Sequence, residues 1–505
     1  MVAKMFMALF SGKRSVPPGP KLGWWRPLQH WWLPLVVALG VRLLAAFVWE
    51  WYSGGKLVFG DSESYWVLAR ALARGEEYRY GNARIFRMPG YPAVLAPLFW
   101  LTPGEPPYLW GRIEGALLGT MAVWGIYLLG KHLANARVGI ISAWWAAIYP
   151  GGIALSVWIL SEALFCPLMI FALLLTVIAF RKERREEAFL WAAAAGLGHG
   201  LSILTRPSWL FFPLFVGLVA VFTEPNRLRQ ATVAALIILT TACTLSPWWL
   251  RNWCLTGRWI PTTLQVGTSL YDGLHPKATG ASDLSYVSAK MAEWAKEYNA
   301  ISPAGLEHSG GRMGHGENFH LEKRKLAPQG WGEVGKVGVR TTDIGGGICR
   351  GWLIWQISED ARRELRQEMD FDARLREEAL RWAWANPGQA AFLALVKLRR
   401  LWNIWPNERA FQLVSIRLMI AASFLPTLVF GLLGMVVAGK KARFWLLGLP
   451  ALYLTAIHCV FVASLRYREP AMLALVPAGA LGLAYLTRKI KSAIQKRADA
   501  KDPVA

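Results

Sequence analysis

The chain has 505 residues, of which 54% are hydrophobic, and it contains 28 tryptophans. Several apolar runs approach or exceed the roughly 20 residues that cross a bilayer as a helix, which excludes a water-soluble globular protein. The formal net charge of +23 lies in short basic clusters between apolar runs and forms no continuous face, so it argues against nucleic acid as a partner and for the basic cytoplasmic loops of a membrane protein.

The first 30 residues are basic and rich in Pro and Gly, and no small-residue cleavage site follows a short apolar core, so they read as a cytoplasmic N-terminus. Apolar segments suited to membrane spans then follow at about 31–49, 108–130, 138–157, 163–180, 188–205, 208–223, 231–249, 415–437, 444–465 and 471–487. With the N-terminus inside, an alternating path through these ten segments puts the basic clusters at Arg181–Arg185, Lys440–Arg443 and Arg488–Arg497 on the cytoplasmic side. Residues 50–107 and 250–414 then lie outside, and 488–505 form a basic cytoplasmic tail. The predicted fold is an all-α polytopic membrane protein with about ten or more spans. Its transmembrane units are 31–249 and 415–487, and an outer α/β or mixed soluble domain fills 250–414.

The outer segment 50–107 is patterned. "SESYWVLARALARGEEY" spaces its apolar residues as an amphipathic surface helix, and "YPAVLAPLFWL" is too short to span and reads as interfacial or re-entrant. In the second outer segment, the Gly-rich, charged stretch 305–350 reads as irregular. Residues 359–404 regain helical periodicity, with a break expected at Asn386–Pro387. The five cysteines form no CxxC pair and signal neither a zinc site nor a disulfide framework. His308, His315 and His320 match no metal-ligand spacing.

The sharpest chemical feature is "FGDSESYW", with Asp61 and Glu63 at the outer interface. Asp61 also suits the role of N-cap for the following helix. Glu162 in "VWILSEALF" stands at an outward helix end, where a carboxylate is costly without a partner or a purpose. Arginines gather on the same side: Arg84 and Arg87 in "RIFRMPGYP", Arg206 in "LTRPSW", Arg251 in "SPWWLRNW", and Arg466 and Arg468 in "RYREP". Such arginines can snorkel to lipid headgroups. Their forked donors equally suit a phosphate clamp.

The stretches "GDSESYWVLARALARGEEY…RMPGYPAVLAPLF", "SEALF" and "PWWLRNWCLTGRWIPTTLQVGTSLYDGLHPKATG" resemble bacterial members of the dolichyl-phosphate-mannose–protein mannosyltransferase superfamily. These are GT-C glycosyltransferases, and their relatives include the lipid A aminoarabinose transferases. The resemblance implies an enzyme of the bacterial inner membrane that moves a sugar, with inversion, from a polyprenyl-phosphate donor to an acceptor on the outer face. It implies Asp61 as general base and Arg87 on the leaving phosphate, with Arg251 as alternative or helper. Glu162 falls near the family's second acidic position, although this chain has Ser-Glu where many relatives have Asp. Arg84, Tyr91, Arg206 and Arg466 complete the expected substrate-binding set. Asp61 and Glu63 in a D-x-E arrangement resemble the acidic pairs that bind a divalent cation such as Mg or Mn beside phosphates.

A transporter or flippase of a lipid-linked substrate is the competing reading. It calls for internal repeats and charges near mid-membrane, and the sequence shows neither. A scaffold leaves the acidic pair and the arginine-rich interface without a purpose. The expected partners are the lipid-linked donor, membrane lipids and a glycan, lipid or protein acceptor, with no nucleic acid among them.

Overall fold

A computed structural model describes residues 30–223, 226–301, 358–407, 411–439 and 443–499. The N-terminal basic cluster, Lys440, Lys441, the Gly-rich stretch and His308, His315 and His320 lie outside the described residues.

Helices come in this order: α1 Leu33–Tyr52, α2 Gly60–Arg74, α3 Gly90–Leu95, α4 Tyr108–Leu133, α5 Ala136–Ala147, α6 Pro150–Val157, α7 Glu162–Arg181, α8 Arg185–Thr205 and α9 Phe212–Thr223. They continue with α10 Arg227–Thr256, α11 Val266–Gly273, α12 Leu284–Ile301, α13 Glu359–Ala385, α14 Pro387–Trp402, α15 Val414–Ala438, α16 Trp445–Val460 and α17 Glu469–Asp499. Short 3₁₀ turns cover Ala96–Trp100, Pro207–Trp209 and Leu465–Tyr467. No strand occurs among the described residues, so the mixed α/β content expected in 250–414 has no counterpart there. Cys254 is disulfide-bonded, of which the scattered cysteine spacing gave no sign.

Each predicted apolar segment corresponds to a helical element, but not all are full spans. Among the described residues, seven helices are long and apolar enough to cross a membrane, or eight if the bent pair α5–α6 counts as one span. Two more, Pro207–Thr223 and Trp445–Val460, are apolar but short. The pair α5–α6 bends by 58° at its break. Pro150 starts α6 and cannot donate the backbone hydrogen bond that would continue α5. The carbonyls freed at the end of α5 find a donor in Arg42 of α1, whose guanidinium reaches Ala147 O at 3.1 Å and Ala146 O at 3.2 Å. Arg42 also meets Ser156 Oγ of α6 at 3.3 Å. A buried arginine thus holds both halves of the broken segment.

The long helices pack α4 against α1, α5 and α7, α8 against α7 and α10, and α15 against α17. Small residues allow the closest approaches, as is common between membrane helices. A side chain begun at Gly434 of α15 would put its Cβ 1.8 Å from Ala478 O of α17. In the segment read from sequence as outer, α11 packs on α12 and α13, and Trp294, Phe371 and Leu375 form a small separate core.

The basic-cluster pattern predicts the sidedness of the loops. Cysteines at Glu76→Cys and Ser285→Cys, in a background without other reactive thiols, should react with an impermeant maleimide in intact cells. Glu183→Cys and Ala493→Cys should react only after lysis. Labelling of Glu183→Cys from outside would reverse the orientation.

Candidate active site

A single cavity of about 2090 Å³ joins the membrane helices to the outer helices. Apolar side chains including Val48, Ile153, Phe211, Met419 and Ile420 line one part of it. Ser288, Met291 and Phe371 of α12 and α13 line another. Asp61, Glu63, Arg87, Arg206 and Arg466 sit in the same wall.

Asp61 does not act as the N-cap of α2. That position belongs to Phe59, and Asp61 lies inside the first turn, near the positive end of the helix dipole. Its carboxylate bridges two arginines: Oδ1 is 2.6 Å from Arg87 Nη2, and Oδ2 is 3.1 Å from Arg466 Nη2. Arg466 Nε continues to Glu162 Oε1 at 3.0 Å, and the same oxygen meets Arg206 Nη1 at 2.5 Å. The result is an alternating chain, Arg87–Asp61–Arg466–Glu162–Arg206, with three guanidiniums against two carboxylates. Glu162 is 1% exposed, so its charge depends on its two partners, whereas the Asp61 side chain is 34% exposed and reaches the cavity.

Other side chains aim these guanidiniums. Arg87 Nε donates to Ser64 Oγ and Nη1 to Gln265 Oε1, both at 3.1 Å. The Arg87 guanidinium lies over Phe86 at 4.6 Å and Tyr65 at 5.3 Å. Tyr467 receives Arg206 at 5.4 Å and Arg466 at 5.0 Å on its ring, and its hydroxyl accepts from Arg466. Sequence reasoning missed Ser64, Gln265 and Tyr467. Neutral polar residues of these kinds carry no charge signal, and only their closeness to Arg87 and Arg466 in space marks them.

Burial pushes the Asp61 carboxyl up, but the charges and hydrogen bonds of Arg87 and Arg466 outweigh it and hold it at about 2. The folded value is below the ordinary 3.8, so these pairs contribute stability above about pH 4 and lose it as pH falls through about 2. Asp61 is therefore fully ionised at neutral pH. Its two oxygens are occupied by arginines, and among the described residues no group of three or more His, Cys, Asp or Glu could hold a metal ion. The Asp61–Glu63 pair as it stands does not fit a divalent cation. Glu63 lines the cavity and forms no ion pair among the described residues.

Three expected substrate contacts sit elsewhere. Arg84 is 2% exposed and is bound to Glu77 at 2.6 Å and Glu364 at 2.8 Å. Arg251 donates to the carbonyls of Arg84 and Tyr78 and stacks on Trp248. Tyr91 is buried edge-on against Tyr65. None of the three lines the cavity. All three fix the first outer loop, which is why they look like site residues in sequence.

Residues 108–250 match the family model of the dolichyl-phosphate-mannose-protein mannosyltransferases. The archaeal oligosaccharyltransferase AglB from Archaeoglobus fulgidus, solved with an inhibitory peptide and a dolichol-phosphate, superposes with a TM-score of 0.51 over 96% of this chain and 52% of its own, at 12% identity. The chain has the fold of this oligosaccharyltransferase. The same oligosaccharyltransferase in its apo form matches 93% of this chain and 52% of its own, with 14% identity and a TM-score of 0.51. The chain therefore spans about half the length of these structures. ArnT from Cupriavidus metallidurans bound to undecaprenyl phosphate aligns with 89% of this chain and 77% of its own, at 14% identity and a TM-score of 0.40. No curated protein matches the sequence. The family match covers Glu162 and Arg206 but stops short of Asp61, Arg87 and Arg466.

Arg84→Ala should act on stability first. It strands Glu364 and leaves Glu77 only Arg79, and both carboxylates are partly exposed, so a loss of about 2 kcal/mol is expected, between the ranges for exposed and buried pairs. A thermal melt in detergent checks this. An unchanged melt together with weakened phosphate binding would return Arg84 to the substrate site.

Proposed function

We propose that this protein transfers a sugar from a polyprenyl-phosphate donor to an acceptor hydroxyl, with inversion, at the outer face of a bacterial inner membrane. The observation that carries the reading is the Asp61-centred charge chain in the wall of a cavity that continues between apolar membrane helices. A lipid tail suits the apolar part, and the arginines suit the phosphate, for which forked donors are well matched.

In the transfer, the acceptor oxygen attacks the anomeric carbon and gives its proton to the Asp61 carboxylate. The bond from that carbon to the phosphate oxygen breaks, and the lipid phosphate leaves with the electron pair. Arg87 and Arg466 stabilise the charge that grows on the leaving phosphate. Both already hold Asp61, so phosphate and carboxylate compete for the same guanidiniums. Donor binding draws the arginines toward phosphate, relieves Asp61 of part of its ion pairing and raises its basicity when a base is needed. Arg206, tied to Arg466 through Glu162, adds a third cation to the same wall.

Asp61→Asn retains size but removes basicity. The purified variant should bind a polyprenyl phosphate and lose about two or more orders of magnitude in transfer rate. Transfer near the wild-type rate would remove Asp61 from the chemistry. Arg87→Ala should cut turnover severely, and Arg87→Lys should retain part of it, because lysine keeps the charge but lacks the fork. Equal turnover of Arg87→Ala and wild type at matched expression would take Arg87 out of the mechanism.

A further inference from the structure

Helix α13 carries Glu364, Glu368 and Asp372 at four-residue spacing, which places them on one helical face. All three bind the segments that hold Arg87. Glu364 Oε2 accepts from Arg84 Nη1 at 2.8 Å. Glu368 accepts two backbone amides, Arg84 N–H at 2.8 Å on Oε2 and Ile85 N–H at 3.1 Å on Oε1. Asp372 Oδ1 accepts Gly267 N–H at 2.7 Å. Ile85 lies two residues before Arg87, and Gly267 lies two residues after Gln265, the acceptor of Arg87 Nη1. The two segments are also joined directly, by Leu264 N–H to Ile85 O at 2.9 Å.

We propose that Glu368 is a positioning residue for the donor phosphate: by clamping the amides of residues 84 and 85 it sets the reach of the Arg87 guanidinium, so that outer helix α13 tunes phosphate capture. The proposal rests on Arg87 being a phosphate ligand. Glu368 lies in the cavity wall, but both its oxygens hold backbone, so it acts through the loop. A carboxylate suits this task because charge-assisted bonds to amides are roughly twice as strong as neutral ones. Glutamine would turn a donor toward one amide and leave it unsatisfied.

The clamp has its own titration. Burial pushes the Glu368 carboxyl up to about 7, against the pull of the two amides, Arg84 and Arg251. The charged groups around it are Arg84 and its partner Glu77 on the first outer loop, Arg251 on α10, and Glu364 and Asp372 on its own helix. As pH falls through about 7, Glu368 takes a proton and one amide loses its charged acceptor, while Asp61 stays ionised throughout.

The test measures binding of a polyprenyl phosphate to the purified full-length chain in detergent between pH 5.5 and 8.5. The variants are Glu368→Gln, Arg87→Ala and the double substitution. Arg206 and Arg466 keep binding measurable without Arg87. Wild-type affinity should fall about tenfold as pH drops through about 7, the size of one lost charged hydrogen bond. Glu368→Gln should be about tenfold weaker at pH 8 and should lose the step near 7, keeping only the pH dependence of the phosphate's own second ionisation near about 6. In the Arg87→Ala background, Glu368→Gln should change affinity by less than about twofold, the signature of one residue acting through the other. An equal loss in both backgrounds, or a wild-type pH step in Glu368→Gln, overturns the proposal. Arg87→Ala binding like wild type instead refutes the phosphate reading beneath it, and the proposal with it. If Glu368→Gln does not fold, Glu368→Asp carries the same comparison, with weakened affinity and a retained pH step expected.

Discussion

Charges removed from water must be paired, and in this protein that requirement organises the site. Arg87, Asp61, Arg466, Glu162 and Arg206 come from five places in the chain: the first outer loop, α2, the turn after α16, the start of α7 and the end of α8. Each is tolerable there only because the next one neutralises it. The alternation ends on an arginine at both sides, so one more anion can join without leaving a carboxylate unpaired. A chain of this kind is paired internally, and the proposed phosphate would join it at an arginine.

The fold delivers these groups by two devices. The break between α5 and α6, held by Arg42, brings Val157, Trp158 and Ser161 into the cavity wall just before Glu162 starts α7. On the outer side, the acidic face of α13 grips the first outer loop and the start of α11. The membrane helices thus supply an apolar wall and half of the charges. The helices of the second segment hold the backbone on either side of the residues that contact Arg87.

Much of this was legible in the sequence, and for identifiable reasons. Apolar runs located each helix that is long and apolar enough to cross a membrane among the described residues, since a helix that faces lipid must be apolar over its length. Asp61, Glu162, Arg87, Arg206 and Arg466 stood out as charges at helix ends where charge is costly, and the structure brings all five together. Arg84 and Arg251 looked the same in sequence. Arg84 is taken up by Glu364 and Arg251 by the carbonyls of Tyr78 and Arg84, partners far away in the chain that sequence does not reveal. The N-cap reading of Asp61 failed because helix α2 starts two residues early, at Gly60, and the carboxylate is drawn to arginines instead of its own amides. The segment 208–223 matches the short apolar helix Pro207–Thr223, whereas 444–465 was read too long, because hydropathy does not register that its helix stops at Val460.

The central claim is that the arginines around Asp61 form the seat of a lipid phosphate. A structure of the full-length protein with a bound polyprenyl phosphate tests it most directly. The account predicts phosphate oxygens about 3 Å from the Arg87 and Arg466 guanidiniums, with the Asp61 carboxylate freed from at least one of them and the lipid tail along the apolar wall. A phosphate seated elsewhere, with the Asp61 ion pairs to Arg87 and Arg466 intact, would contradict it.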